Sequence, residues 1–363
     1  MGANDIQTIK KIFASYYETA EFRIPLIEQR EFGIGNQKKI DSRHLNFSNA
    51  SEFRNYLCNN TPLFVSHSTA YYQYPGASPM QKKQRKGADV VFDLDIHAEG
   101  KYGAYAKLGA VKDDAIRLVE DFILNDFGVK KEDVAVNFSG NRGYHVHVRD
   151  PAYISLGGDE RRELVEYIMG QGLDYLRFFE FEEKKLLGPR PDESGYRGRF
   201  ARAAIKMLSD DPNAISKKFV KEQDREFFIS GIKEGNWSKT SLKLADMPGR
   251  LGAVAKNLPV SSVDTDAGVT QDLSKLIRVP NSIHGDTGLI ARIIGDIRSF
   301  NPWKDAPIRD AGGESALMKI RFIEDVPEIE MEETVGPFKK DEEKEFPMRL
   351  AIFFVLKGSA ELI

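Results

Sequence analysis

Two aspartates one residue apart, Asp93 and Asp95, end an apolar run that begins at Ala88. The run is rich in β-branched and aromatic residues, which is typical of a buried strand. Because side chains alternate along a strand, both carboxylates project from one face, roughly 6.5–7 Å apart at Cα. Two such carboxylates can hold one divalent cation or bridge a pair of cations about 3.5–4 Å apart. The same pattern also occurs as solvated residues at a strand end, so the pair alone is a weak signal.

A glycine-containing turn, Ser139–Gly143, follows a predicted strand over 134–138. Ser139 and Arg142 of this turn supply hydrogen-bond donors. Its glycines permit positive φ and the close approach of a ligand. Alternation then places His145 and His147 on one face of the next strand. The turn can cradle a triphosphate, or it can be a plain hairpin with an arginine at its tip.

A third stretch, 263–285, supplies carboxylates, a cation and a histidine close together in sequence. Asp264 and Asp266 are the carboxylates, and Arg278 and His284 follow them. Carboxylate oxygens suit a hard divalent cation, whereas arginine can donate charge-assisted hydrogen bonds to phosphate. The stretch therefore offers residues for a metal site and for a phosphate site.

Alternating strands and helices have to position these groups. Apolar residues at helical spacing predict a helix over 113–127, between the strand of Asp93 and the strand over 134–138. This alternation indicates an α/β sheet in which parallel and antiparallel pairs can be mixed. A further amphipathic helix is predicted over 4–17, and the apolar run 349–356 is predicted to return to the sheet as its last strand.

A change in composition and periodicity along the sequence divides the chain into two predicted domains. Charged, helix-period sequence dominates 158–249, which we interpret as a smaller, mainly helical insertion. Residues 1–157 and 250–363 would together form the catalytic domain. The lysines of the insertion either solvate it or meet nucleic acid or a partner; they are Lys217, Lys218 and Lys221.

Composition excludes several classes of protein. The 363 residues, 41% of them hydrophobic, suit a globular chain, and no apolar run approaches the roughly 18–20 residues needed to cross a bilayer. The N-terminus has no signal-peptide core, and the single cysteine, Cys58, excludes an internal disulfide and any cysteine-based zinc or iron–sulfur site. We therefore expect a reducing cytoplasm. A formal net charge of -3 argues against a stand-alone DNA coat protein, although a local basic groove remains compatible with it.

The densest basic run is Lys82–Lys86, immediately before the strand of Asp93. Such runs are usually solvated faces. Here nearby tyrosines offer stacking surfaces and the lysines can neutralise phosphate, so a contact to a template strand is the alternative.

Taken together, the three motifs make the chain resemble the catalytic small subunit of archaeal and eukaryotic replicative primase. The resemblance rests on Phe92–Asp95, Ser139–His145 and Leu276–Gly285, which occur in this order and at family-like spacing. It covers nearly the whole chain. It implies the mixed-sheet α/β fold of a primase catalytic domain.

The resemblance also implies roles for individual residues. Metal binding would fall to Asp93, Asp95 and, by its spacing to His284, Asp266, with Asp264 as the competing third ligand because it would share a strand face with Asp266. The residues that would bind the phosphates and sugar of the incoming nucleotide are Ser139, Arg142, His145, Arg278 and His284. Arg43 would contact the triphosphate of the nucleotide used for initiation.

The implied activity is nucleotidyl transfer with two Mg²⁺ or Mn²⁺ ions, by which short primers are made de novo on single-stranded DNA from NTPs or dNTPs during DNA replication. The implied partner is the large primase subunit, which carries an iron–sulfur cluster, and the implied location is the nucleoid of an archaeal cell, with no membrane. Many archaeal relatives also carry a Cys/His zinc knuckle. With only Cys58 this chain cannot build one, so no zinc is expected, and His97 is interpreted as a polar loop residue.

Three other functions compete with this interpretation. A polymerase of the same superfamily, serving repair or a mobile element, would extend an existing 3′ end but initiate poorly. A non-catalytic nucleic-acid-binding subunit would keep the aspartates for structure alone. A metal-dependent phosphatase or nuclease would also cluster aspartates, but it would leave Arg142 and His284 unexplained.

Overall fold

The computed structural model describes residues 2–96, 98–210, 224–239, 262–308 and 316–363. Predictions that concern His97, the lysines at 217, 218 and 221, and residues 250–261 fall outside these ranges. Within them, no helix is long and apolar enough to cross a membrane.

The helices follow the predicted apolar spacing in most places. In chain order they are α1 Ala3–Thr19, α2 Ala50–Asn60, α3 Leu108–Arg117, α4 Pro151–Ile154, α5 Gly158–Met169, α6 Gly195–Asp210, α7 Arg225–Glu234, α8 Ala267–Gln271, α9 Pro302–Asp305 and α10 Met348–Leu356. Helix α3 continues over Leu118–Asp126 as a π-helix. The predicted helices over 4–17 and 113–127 are therefore confirmed, although the π-helical hydrogen bonding was not predicted.

The strands are short and belong to several sheets. They are β1 Phe32–Gly35, β2 Ser42–Leu45, β3 Phe64–Ser68, β4 Ala70–Tyr72, β5 Arg85–Ala88, β6 Val90–Asp95, β7 Val134–Phe138, β8 Gly143–Val148, β9 Glu180–Glu182, β10 Lys185–Leu187, β11 Leu276–Arg278, β12 Ile293–Ile294, β13 Leu317–Phe322, β14 Ile329–Glu330, β15 Thr334–Val335, β16 Glu343–Pro347 and β17 Ala360–Leu362. The largest sheets run in the orders β11-β3-β1-β2 and β12-β7-β8-β6.

Every pairing between the described strands is antiparallel. The predicted α/β class is confirmed, and the parallel pairs that the sequence left open are not found in the described part of the chain. An antiparallel ladder lets neighbouring strands be joined by tight turns, as β7 and β8 are.

The strand that carries the paired aspartates, β6, has its open edge covered. Thr270 Oγ1 of α8 donates to the Val91 carbonyl at 2.8 Å, and the Asp266 N–H donates to the Asp93 carbonyl at 3.0 Å. These bonds satisfy backbone acceptors that the sheet leaves unpaired. Val91 also packs with Val269 and Ile277, so apolar contact joins β6 to α8 and β11.

A buried ionic network anchors the residue just before β6. Asp89 and Arg30 are both fully buried, with Arg30 Nη2 3.0 Å from Asp89 Oδ2. Asp89 also accepts from Tyr71 and Arg149 and lies 3.4 Å from His147 Nδ1. Because a buried carboxylate needs such partners, the network fixes the start of β6 relative to β4 and β8.

The apolar run at 349–356 is a helix, not the predicted last strand. Helix α10 covers Met348–Leu356, and its residues from Ala351 to Val355 are all buried. A short run that is apolar on every side has no periodicity that could separate a helix from a strand. The strand that joins β13 at this end of the chain is instead β17, Ala360–Leu362.

The contacts divide the chain into two compact units. One unit comprises 1–116, 130–165 and 264–363, and the other comprises 117–129 and 166–263. The second unit has its own core, in which Trp237 and Phe200 are fully buried and Trp237 Nε1 donates to the Pro189 carbonyl. The insertion bounds at 158 and 249 stay a prediction, and the second unit differs from them by including 117–129.

Candidate active site

The paired aspartates lie on one face of β6, opposite the strand that carries the histidines. Asp93 pairs with His145 and Asp95 with Gly143 in the antiparallel ladder. His145 Nε2 is 3.6 Å from Asp93 Oδ1, and Arg142 Nη2 is 2.9 Å from Asp95 Oδ2. The alternation predicted from the sequence therefore brings the acidic residues next to the turn and the histidine that follows it.

The third carboxylate, Asp266, lies next to Asp93 through the backbone. Its N–H donates to the Asp93 carbonyl, and Thr265 Oγ1 donates to the same carbonyl at 3.0 Å. Oδ1 of Asp266 caps α8 by accepting from Gly268 N at 2.8 Å and Val269 N at 3.3 Å. Oδ2 makes no hydrogen bond within the described part of the chain, so it is available to a ligand.

Asp264, the competing third ligand, is exposed, as Asp266 also is. Residues 262–266 do not form a strand, so Asp264 and Asp266 share no strand face. The shared strand face that made Asp264 a competitor is therefore not found there, and the choice between Asp264 and Asp266 stays a prediction. Asp266, by contrast, is electrostatically coupled to Asp93.

The carboxyl group of Asp93 is destabilised in its charged form. Its pKa is raised to about 7, first by burial and then by the neighbouring carboxylates of Asp95 and Asp266. Burial and like charge both disfavour an ionised carboxylate. Three acidic groups that repel one another suit a site completed by a cation.

These residues fit a metal ion by the type of their donor atoms and not by a complete coordination shell. Among the described residues there is no group of three or more His, Cys, Asp or Glu side chains already arranged to hold a metal ion. Asp95 is paired with Arg142, and one carboxylate oxygen of Asp266 caps helix α8. Carboxylate oxygens are the ligands that Mg²⁺ and Mn²⁺ prefer, so the donor set fits once Asp95 exchanges its partner.

The glycine-containing turn is a compact hairpin between β7 and β8. Ser139 Oγ accepts from Asn141 N at 3.3 Å and Gly143 N at 3.1 Å. Gly140 has φ of 79°, and a Cβ there would come within 2.9 Å of His284 Cβ. A Cβ at Gly143 would collide with the Leu94 carbonyl oxygen. Both glycines are therefore needed, one for conformation and one for the close approach of the two strands.

Several donors next to this turn have no acceptor. Within the described chain, Arg142 Nε and Arg278 Nη1 are buried and make no hydrogen bond. Arg278 is 9% exposed, its guanidinium lies 5.6 Å from the centre of the Phe64 ring, and burial lowers its pKa to about 10. It remains charged at neutral pH. Buried donors without acceptors are rare, so these arginines indicate a site for an anion.

Both histidines of the site are buried and neutral. Burial, assisted by Arg278, lowers the pKa of His145 to about 3 and that of His284 well below its usual value. Nδ1 of His284 accepts from Asp286 N at 3.1 Å. The proton of its ring is therefore on Nε2, which leaves that nitrogen as a donor.

Comparisons with known proteins agree with this arrangement. A family model described as DNA primase small subunit matches residues 92–296. The DNA primase small subunit of Methanococcoides burtonii is 31% identical over 394 residues and covers 97% of both chains. Those of Methanothrix thermoacetophila and Archaeoglobus fulgidus are 33% and 32% identical, over 96% and 97% of this chain and 97% of theirs.

The chain belongs to the DNA primase small-subunit family. The resemblance read from the three motifs is thereby confirmed. The matched region contains both aspartates of β6, the turn and the stretch from Asp266 to His284, which the fold brings together.

Arg43, the predicted ligand of the initiating nucleotide, lies outside that matched region. Its Nε is 2.7 Å and its Nη2 3.2 Å from the two carboxylate oxygens of Glu31, which is fully buried. Lys83 Nζ is 3.5 Å from the same carboxylate. Arg43 is thus held by an internal counter-ion, and its contact with nucleotide stays a prediction.

Some residues that support the site were not predicted from the sequence, because only their contacts in the folded structure reveal them. Tyr105 donates its hydroxyl to Asn141 Oδ1 at 2.8 Å and so supports the turn from outside the motif. Thr287 donates to the Gly140 carbonyl at 2.6 Å. Lys83 belongs to the basic run that was interpreted as solvated or facing a template, yet it is fully buried. No residue spacing in the sequence marks these contacts.

Proposed function

We propose that this chain is the catalytic subunit of a DNA primase, which makes short primers de novo on single-stranded DNA from nucleoside triphosphates. One observation carries the proposal. Arg142 bonds to Asp95 and keeps a buried Nε without an acceptor, and Arg278, with a buried Nη1 in the same condition, acts electrostatically on His145, the ladder partner of Asp93. A carboxylate pair next to an anion site is what nucleotidyl transfer needs, because metal and triphosphate must bind together.

Asp93, Asp95 and Asp266 would hold two Mg²⁺ or Mn²⁺ ions, which when bound acidify the attacking 3′-hydroxyl and neutralise charge on the leaving pyrophosphate. The free Oδ2 of Asp266 and the repulsion at Asp93 support this assignment. Positive charge would relieve the mutual repulsion of these carboxylates, which favours the binding of cations there.

The arginine and histidine side chains would bind the triphosphate. Arg142 and Arg278 would donate charge-assisted hydrogen bonds to phosphate oxygens that gain charge in the transition state. His284 would donate from Nε2, since its Nδ1 already accepts from Asp286. Ser139 holds the turn closed, and His145 keeps a neutral ring beside Asp93. No side-chain nucleophile is required.

Arg142 belongs to both parts of the proposed site, because it bonds to a carboxylate of the metal site and is a proposed ligand of the triphosphate. Its bond to Asp95 pairs the two charges within the protein. With a nucleotide and metal ions bound, Arg142 would donate to phosphate and Asp95 would be a metal ligand, so that each charge would exchange one partner for another. This exchange couples nucleotide binding to metal binding.

The relatives are named as small subunits, and we propose a large primase subunit, containing an iron–sulfur cluster, as the partner. Single-stranded DNA at the nucleoid would be the template, and NTPs or dNTPs the substrates. These assignments rest on the family and not on a docking surface in the structure.

De novo synthesis on single-stranded DNA tests the proposal directly. The wild-type chain, with template, labelled NTPs or dNTPs and Mg²⁺ or Mn²⁺ but no primer, should yield short labelled products, with and without co-purified proteins. Extension of a supplied primer without any initiation would indicate a repair-type polymerase instead. DNA binding with neither activity would indicate a non-catalytic subunit.

A further inference from the structure

Lys357 follows the last residue of helix α10 and places its ammonium group over the ring of Tyr105. Its N–H donates to the Phe353 carbonyl at 2.9 Å, which fixes the backbone at the helix end. Nζ lies 5.0 Å from the centre of the Tyr105 ring and 5.7 Å from that of Phe353. The ammonium is thus within cation–π range of two aromatic rings.

The Tyr105 ring places this ammonium beside the glycine-containing turn. The Tyr105 hydroxyl donates to Asn141 Oδ1, the residue before Arg142. Asp286 and Arg142 are both near enough to act electrostatically on Lys357, and Lys357 in turn acts on His284. The ammonium therefore shares its surroundings with the donors assigned to the triphosphate.

Lys357 has no directly bonded counter-ion in the described part of the chain. Among the residues that the structure describes, its ammonium makes no hydrogen bond and no ion pair. Burial lowers its pKa to about 8, the nearby Asp286 opposes this shift, and Arg142 and Lys101 add to it as neighbouring cations. A half-buried ammonium without an acceptor is costly, whereas phosphate would supply both the acceptor and the opposite charge.

We propose that Lys357 binds the triphosphate of the incoming nucleotide, together with Arg142, Arg278 and His284. The inference rests on the proposed nucleotide site and adds to it a cation from outside all three sequence motifs. Lysine binds phosphate as a compact point charge, which suits a group that approaches the site from the end of a helix. Asp286 would be its counter-charge before the nucleotide arrives.

The competing explanation is that Lys357 only stabilises the fold. An ammonium at a helix C-terminus and over an aromatic ring can contribute to stability without any ligand. The two explanations differ in what Lys357→Met would change. A structural lysine would alter unfolding alone, whereas a phosphate ligand would alter the affinity for ATP.

Lys101 provides a matched control. It is also a cation close to Lys357, but it is paired with Glu324 and lies 3.1 Å from Ser359 Oγ. Lys101→Met therefore removes a positive charge from the same neighbourhood without removing an unpaired donor. General electrostatic effects should appear in both variants, and a direct phosphate contact only in Lys357→Met.

The experiment measures the dissociation constants of ATP and adenosine in the presence of Mg²⁺ by titration calorimetry. We expect Lys357→Met to weaken ATP binding about tenfold, Lys357→Arg to restore most of it, and Lys101→Met to leave it within about twofold. Adenosine binding should be the same in all variants. Equal ATP affinity in wild type and Lys357→Met would overturn the inference.

A second measurement needs no variant. Acetylation of the wild-type chain with a limiting acylating reagent, mapped by mass spectrometry, should modify Lys357, and ATP with Mg²⁺ should protect it while leaving Lys101 unprotected. Lack of protection at Lys357 would also contradict the inference.

Arg142→Gln distinguishes a failure of the inference about Lys357 from a failure of the proposed nucleotide site. If Arg142→Gln loses ATP affinity while Lys357→Met keeps it, the inference fails and the proposed nucleotide site stands. If the wild-type chain itself binds no ATP, both fail.

Discussion

Nε2 of His145 lies 3.6 Å from Oδ1 of Asp93, directly across the ladder between β6 and β8. The contact has the geometry of an ion pair but not its charge, because burial keeps the imidazole neutral at physiological pH. Asp93 therefore has no directly bonded cation among the described residues. Its carboxylate is held beside two others and is left for a ligand to neutralise.

Asp93→Asn should abolish primer synthesis and at the same time stabilise the fold. The amide keeps the shape of the side chain but removes a charge that burial, Asp95 and Asp266 all disfavour. We expect activity to fall at least about a hundredfold. The free energy of unfolding in EDTA should rise, by on the order of 1 kcal/mol.

Primer synthesis assays and urea denaturation measure the two effects. Asp113→Asn, which changes an exposed carboxyl on α3, is the control and should alter neither quantity. A variant at Asp93 that synthesised primers at the wild-type rate would exclude this residue as a metal ligand.

Asp266→Asn should weaken the binding of Mn²⁺ while leaving helix α8 intact. The amide oxygen can still accept from Gly268 and Val269, but the negative charge on the other side of the group is lost. Asp264→Asn, two residues earlier and exposed, should bind Mn²⁺ like the wild type. Electron paramagnetic resonance of bound Mn²⁺ provides the measurement. Equal losses in the two variants would leave Asp264 as an alternative ligand.

Asp89→Asn should be strongly destabilising, although Asp89 is not part of the candidate active site. It would leave the fully buried Arg30 without its counter-ion. Breaking one side of a buried ion pair costs about 3–5 kcal/mol. Urea denaturation should show this loss, and Asp325→Asn, in an exposed pair with Lys339, should show none that can be measured. A small effect at Asp89 would mean that water or a rearranged partner replaces the carboxylate.

Stability should decline as the pH falls from about 6.5 towards 4. Burial lowers the pKa of His147 to about 4, so the unfolded chain takes up a proton in this interval and the folded chain does not. The contribution of His147 is therefore complete above the pKa of the unfolded state and is lost below it, by up to about 3 kcal/mol.

His147→Gln removes the titrating group while keeping a donor for Asp89, and its stability should depend less steeply on pH in the same interval. Urea denaturation at pH 7.5, 6 and 5 would test this. An unchanged slope would assign the acid sensitivity to other buried histidines.

The sequence predicted the parts of the site that lie within single strands and turns. The alternation of Asp93 and Asp95, the hairpin at Ser139–Gly143 and the class of fold follow from local periodicity and turn residues, which act over a few positions. Helix α10 was assigned wrongly because burial on all sides removes that periodicity.

The remaining features depend on contacts between distant segments. The pairing of Arg43 with Glu31, the burial of Lys83 and the place of Lys357 beside Tyr105 join residues that no local pattern connects. Whether a cation faces solvent, a counter-ion or a ligand is decided by the fold around it and not by its neighbours in sequence.

Gly143 stands opposite Asp95, and its missing side chain is what lets β8 approach the Leu94 carbonyl. Any larger residue there would wedge the two strands apart and separate the acidic pair from the arginine of the turn. An inactivating allele of this protein need not alter a charged or titratable group at all. A single methyl group, placed between two backbones, is enough to disconnect them.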